Sequence, residues 1–191
     1  MLSLVLWFAS VQVIGIFTFP IAYYLFPRLY DRGYAISKVL GILLIGYLSW
    51  ILSVVYVVPS TQFTIFIILV LIASISFWYF YRNRSQFYAF LNREKTTIIV
   101  IEAVFFVVFV AWAFYRSYDP AINHTEQPMD FAFLNASIRS IVGHPDDPWL
   151  SGQSVNYYYF GYWMMGTLSK LTAIQSNYSY NLSLALTAGL S

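Results

Sequence analysis

The chain has 191 residues, of which 60% are hydrophobic, 21% aromatic and only 9% charged, with a formal charge of +2. Soluble domains carry about 25% charged residues, so this composition excludes a water-soluble globule and puts the chain in a lipid bilayer. The basic residues sit at the ends of apolar segments rather than in one patch, which excludes a nucleic-acid binder. Cysteine is absent, which excludes disulfides.

A hydrocarbon core about 30 Å thick takes roughly 20 helical residues to cross. Four segments meet that length, at 3–26, 36–58, 61–81 and 97–116. Pro20 lies inside the first and is expected to kink it. Glu102 lies in the fourth, about a turn and a half from its start, and is expected to snorkel toward Arg93 or Lys95. The run Tyr157–Leu171 is shorter and more aromatic and reads as a fifth span, and Leu182–Leu190 reads as the start of a sixth. An apolar segment that stops at Ser191 with no polar flank suggests the N-terminal part of a longer protein. The expected fold class is therefore all-α, a polytopic membrane protein with about five to six transmembrane helices. Residues 1–96 read as an N-terminal three-helix module, and 97–191 as a span, an acidic loop and the spans after it.

Orientation follows from lysine and arginine. Arg28, Arg32 and Lys38 follow the first span, and Arg82, Arg84, Arg93 and Lys95 follow the third, whereas Pro59-Ser60-Thr61-Gln62 carries no charge. The positive-inside rule puts both basic segments in the cytoplasm. The N-terminus and the segment after span four are then extracytoplasmic, and Lys170 returns the fifth span to the inside. Span one lacks the basic start and cleavage site of a signal peptide and reads as a retained anchor. The expected location is the plasma membrane.

The loop from His124 to Tyr162 holds four of the eight acids: Glu126, Asp130, Asp146 and Asp147. Acids gathered in one loop of an apolar protein point to a working site. Tyr118-Asp119-Pro120 ends span four. Phe131, Leu134, Ile138, Ile141 and Val142 recur at helical spacing, which predicts an interfacial amphipathic helix over 130–142 with Asp130 at its N-terminal end. The helix dipole favours a carboxylate there, and Pro128 stiffens the approach, so Glu126 and Asp130 are expected near one another. After Gly143 comes a turn-rich stretch, His144 to Gly152, and then the tyrosine run.

Glu-Gln-Pro-Met-Asp, then Asp-Pro-Trp-Leu-x-Gly, then Asn-Tyr-Tyr-Tyr-Phe-Gly-Tyr resembles the YYY-domain family of uncharacterised prokaryotic multispan proteins over roughly Thr125 to Thr172. The same plan is similar to the first external loop of GT-C glycosyltransferases, which take sugars from polyprenyl-phosphate carriers; those enzymes usually place the loop after their first span, whereas three spans precede span four here. The resemblance implies Glu126 or Asp130 as catalytic base or metal ligand. A lipid phosphate leaving group calls for a cation, for which Arg116 and Arg139 are candidates, or for a divalent metal held by Asp146 and Asp147. Asn156, Tyr157, Tyr158, Tyr159 and Trp149 are the candidate sugar-binding residues. The partners implied are the bilayer, a polyprenyl-phosphate sugar donor and the rest of the same chain. A plainer reading makes the tyrosines an aromatic belt, Asp146 and Asp147 turn acids, and His124 and His144 solvated loop residues. The alternative function is a non-enzymatic scaffold or transporter whose acids bind a cation or a partner.

Overall fold

The computed structural model describes residues 1–191. It is helical throughout: α1 Leu2–Leu25, α2 Ser37–Val54, α3 Gln62–Arg82, α4 Arg84–Arg93, α5 Lys95–Tyr118, α6 Gln127–Arg139, α7 Phe160–Thr172 and α8 Ser176–Leu190. The one β feature is an isolated bridge between Asp146 and Ser154. In hydrocarbon each backbone N–H and C=O needs a partner from its own segment, and a helix supplies it. α1, α2, α3 and α5 are long and apolar enough to cross a membrane. The protein is therefore multi-pass, and its environment is the bilayer.

Local chemistry sets the helix ends. α1 runs through the buried Pro20 to Leu25. Asp31 shapes the turn into α2 by accepting from Gly33 N at 3.0 Å and Ala35 N at 2.8 Å, and Gly33 takes the positive φ of 78° that the turn requires. α2 ends at Val54, short of the expected boundary, because Val57 N and Val58 N both fold back onto Leu52 O. Thr61 caps α3 by accepting from Thr64 N at 3.2 Å.

The α1–α2 turn and the α3–α4–α5 corner share one end of the bundle, where Phe19 and Tyr23 pack on Phe87 and Phe90. Arg28, Arg32, Arg82, Arg84, Arg93 and Lys95 belong to this basic face. The α2–α3 turn and the acidic loop share the other end, joined by Ser60 N to Ile141 O at 2.6 Å and Gly143 N to Ser53 O at 3.1 Å. One apolar core between the faces draws on Trp7, Ile14, Ile45, Ile65, Phe109, Leu168 and Leu186, and so on α1, α2, α3, α5, α7 and α8.

The fifth span is a correction. α7 has 13 residues, about 20 Å of helix against a core of about 30 Å. Trp163 Nε1 donates to Ser49 Oγ at 3.1 Å near its start, and Leu171 O accepts from Gln62 Nε2 at 3.1 Å near its end. α7 thus lies along the acidic-face half of α2 and finishes beside the α2–α3 turn. Lys170 does not mark the basic face: its Nζ donates to Ser60 O at 3.0 Å, Ser60 Oγ at 3.3 Å and Ser140 O at 2.6 Å, tying together three segments of the acidic face. Burial pulls its pKa down to about 8. α8 then starts on the same face, with Asn181 Nδ2 donating to Pro120 O, and descends along α5 until Gly189 meets Phe105.

Two charges expected at the membrane edge lie inside the bundle. Glu102 does not reach toward Arg93 or Lys95. Lys38 Nζ donates to its Oε1 at 2.5 Å and Gln12 Nε2 to its Oε2 at 2.8 Å. Lys38, read from the sequence as a loop cation, is the second residue of α2 and is 3% exposed. A pair in hydrocarbon satisfies both charges more fully than a snorkelling carboxylate does.

α1 and α2 approach closely at Gly41, where a Cβ would stand 2.4 Å from Ile14 Cγ2 and 2.5 Å from Thr18 Oγ1. Small residues let membrane helices touch in this way. Gly41→Ala is expected to lower stability by about 1–3 kcal/mol, the usual cost of overpacking, read as a fall in thermal midpoint in detergent. Gly161→Ala is the control, because nothing lies within 4 Å of its Cβ position. A midpoint unchanged by Gly41→Ala overturns the close approach.

Candidate functional site

α6 starts at Gln127, three residues earlier than expected, because Pro128 sits in its first turn, where a missing N–H costs nothing. It stops at Arg139, so Ile141 and Val142 lie beyond it and are exposed. Phe133, Leu134, Ala136 and Ser137 form its buried side. Gly166 of α7 packs there, its Cβ position 3.3 Å from Ile138. Asp130 falls in the first turn, where the dipole favours an acid. Glu126 is the N-cap, and Asp130 N donates to its carbonyl at 3.0 Å. Residues four apart share one helix side, so the two acids are neighbours as the spacing implies.

Two tyrosines from elsewhere close on Asp130. Tyr162 of α7 donates its hydroxyl to Oδ1 at 2.5 Å, and Tyr180 of α8 reaches Oδ2 at 3.5 Å. Burial, and then the carboxylate itself, raise the pKa of both phenols, which holds them as donors. The second contact is long, so Oδ2 retains room to accept another hydrogen bond. Arg116 lies close enough to Tyr180 to oppose the effect of Asp130 on it. Arg116 is 7% exposed, and its guanidinium donates to Asn181 Oδ1 at 2.8 Å and Ala121 O at 3.1 Å. Arg139 is at the other end of α6, nine residues on, about 13 Å along the helix. The structure therefore puts Glu126 and Asp130 on one helix turn and ties Arg116 to Asn181, the neighbour of Tyr180, while Arg139 lies away at the far end of α6.

The tyrosine run divides. Tyr157 stacks on Phe133 with centroids 5.6 Å apart, and Trp149 meets the same ring edge-on at 5.3 Å. Tyr157 and Tyr158 lie 3.9 Å apart, with Tyr157 donating to Tyr158 at 2.6 Å. Tyr158 and Trp149 are exposed, making an aromatic ledge beside the acids. Tyr159 turns inward. Trp50 Nε1 donates to its hydroxyl at 2.8 Å, and that hydroxyl lies 2.6 Å from His144 Nδ1. These residues, with Asn156, Tyr47 and Phe160, line a cleft of about 480 Å³. His144 is exposed in the loop, as expected, and is also part of this hydrogen-bonded chain. His124 stays in the exposed loop, where it pairs with Asp119 at 2.7 Å.

Asp146 and Asp147 do not fit a metal. Asp147 Oδ1 accepts from Trp149 N at 2.8 Å and Leu150 N at 3.0 Å, capping its own turn. Asp146 is in the bridge to Ser154. No three His, Cys, Asp or Glu side chains converge with ligand spacing.

Sequence reasoning missed Tyr162, Tyr180 and Trp50 as partners. Tyr162 closes the motif quoted above, which was its one signal. Tyr180 is 50 residues from Asp130 and Trp50 is 109 from Tyr159, separations that carry none.

The family model described as "Uncharacterized membrane protein (DUF2298)" matches residues 44–191. No curated protein and no solved structure matches the chain.

Proposed function

The chain belongs to this family of membrane proteins, and on that premise we propose that it is a glycosyltransferase of GT-C type, moving a sugar from a polyprenyl-phosphate donor at the extracytoplasmic side of the plasma membrane. The observation that supports this reading is the convergence of α6, α7 and α8 on one carboxylate, Asp130, at the polar end of a membrane bundle. The acceptor hydroxyl gives its proton to Asp130 Oδ2 as its oxygen attacks the anomeric carbon. The bond from that carbon to the phosphate oxygen breaks, and its electron pair leaves with the phosphate. Tyr162 holds Oδ1 and fixes the carboxylate. Arg116 is the cation best placed to offset the leaving phosphate, and the ledge of Tyr158 and Trp149 offers flat apolar faces to a sugar ring. A donor anchored by its lipid tail suits a site at the end of a bundle.

Vesicles carrying the protein, given a radiolabelled polyprenyl-phosphate hexose, should release label to an acceptor above the level of vesicles without it. No transfer from any lipid-linked hexose overturns the reading, and the tyrosine clamp on Asp130 is then a structural latch of a scaffold.

A further inference from the structure

A second cavity lies away from the acidic face. It is a crevice of about 970 Å³ opening between α1, α3, α4 and α5, at the level of the hydrocarbon and toward the basic face. α3 and α5 do not pack on each other along it. Most of its lining is apolar, with Phe66, Ala73 and Phe77 from α3 and Phe87 and Leu91 from α4.

Two polar features stand on its wall. The Lys38–Glu102–Gln12 group is satisfied within itself, because both carboxylate oxygens have donors. It therefore presents a neutral surface. Ser76 is different. It is 2% exposed, it lines the crevice, and its hydroxyl has no hydrogen-bond partner. Thr18 and Ser74, by contrast, bond back to their own helices, Thr18 to Ile14 O and Ser74 to Val70 O. A buried hydroxyl without a partner is costly, and its place on a lipid-level crevice says what kind of acceptor completes it.

We propose that this crevice binds one anionic phospholipid from the basic-face leaflet, with a glycerol-ester carbonyl accepting from Ser76 Oγ and an acyl chain running along α3 toward Phe66. The lengths agree. Ten residues separate Ser76 from Phe66, about 15 Å of helix, which is half of a core about 30 Å thick. On the other side of Ser76 the chain reaches Arg82 and then Arg84, which opens α4. The phosphate of an anionic lipid at that end meets cations, while a zwitterionic headgroup brings its own cation and gains little.

The test is native mass spectrometry of the delipidated chain after exchange into a mixture of equal parts phosphatidylglycerol and phosphatidylcholine. The wild type should retain one phosphatidylglycerol. Ala73→Phe, which fills the crevice, should retain none, and Ser76→Ala should weaken retention about fivefold, the worth of one hydrogen bond. Where circular dichroism shows that Ala73→Phe has not folded, the single-atom change at Ser76 decides. No retained lipid, equal retention of the two headgroups, or retention in Ser76→Ala equal to wild type overturns the proposal.

Discussion

Asp130→Asn is expected to lower sugar transfer by about a hundredfold or more, the usual contribution of a positioned base, with membrane insertion unchanged. The substitution isolates chemistry from packing. The amide oxygen still accepts from Tyr162, and the amide nitrogen keeps the size of Oδ2 while exchanging the long contact from Tyr180 for a donor of its own, so the main loss is the capacity to take a proton. The loss should appear in kcat more than in KM, because the base acts in the transition state and not in donor binding. Glu126→Gln separates the two acids. Glu126 is exposed and nothing holds it, while Asp130 is clamped, so the loss at 126 should be the smaller one. Transfer of labelled hexose in vesicles checks both variants, and full activity in Asp130→Asn removes the residue from the mechanism.

Glu102→Leu is expected to cost about 3–5 kcal/mol of stability, the loss that follows when one partner of a buried ion pair is removed. The two halves are not equivalent. The Lys38 side chain is 4% exposed and that of Glu102 is 27% exposed, so stranding the lysine costs more than stranding the acid. Lys38→Met should therefore fall less than Glu102→Leu. The double variant should recover most of the loss, because apolar side chains replace a desolvated pair at little net cost. Thermal midpoints in one detergent, compared as a double-mutant cycle, check the order. Additive losses in the double variant rule out the pair as a coupled unit.

The four spanning helices were legible because their signal is local: length and apolar content determine where each one lies, to within a few residues at most ends. α7 was not legible, because an aromatic, apolar run looks alike whether it crosses the bilayer or lies against another helix. What distinguishes it is the partners of Lys170, two backbone carbonyls and a serine hydroxyl from segments 30 and 110 residues away. Glu102 was visible as an anomaly, but its partner Lys38 is 64 residues distant and carries the ordinary appearance of a flanking cation. At the candidate site, Glu126 and Asp130 stood out through composition and the fixed spacing around Pro128. The phenols that clamp Asp130 come from helices whose placement is a property of the whole bundle.

The shortness of α7 has a consequence for parity. α1, α2, α3 and α5 are the four helices long and apolar enough to cross the bilayer, an even number, and α7 at 13 residues is too short to add a fifth. The chain's start, the α2–α3 turn, the acidic loop and the head of α8 therefore all belong to one compartment. Each segment that converges on Asp130 is delivered there directly, and assembling the clamp requires docking among parts already on the same side of the lipid.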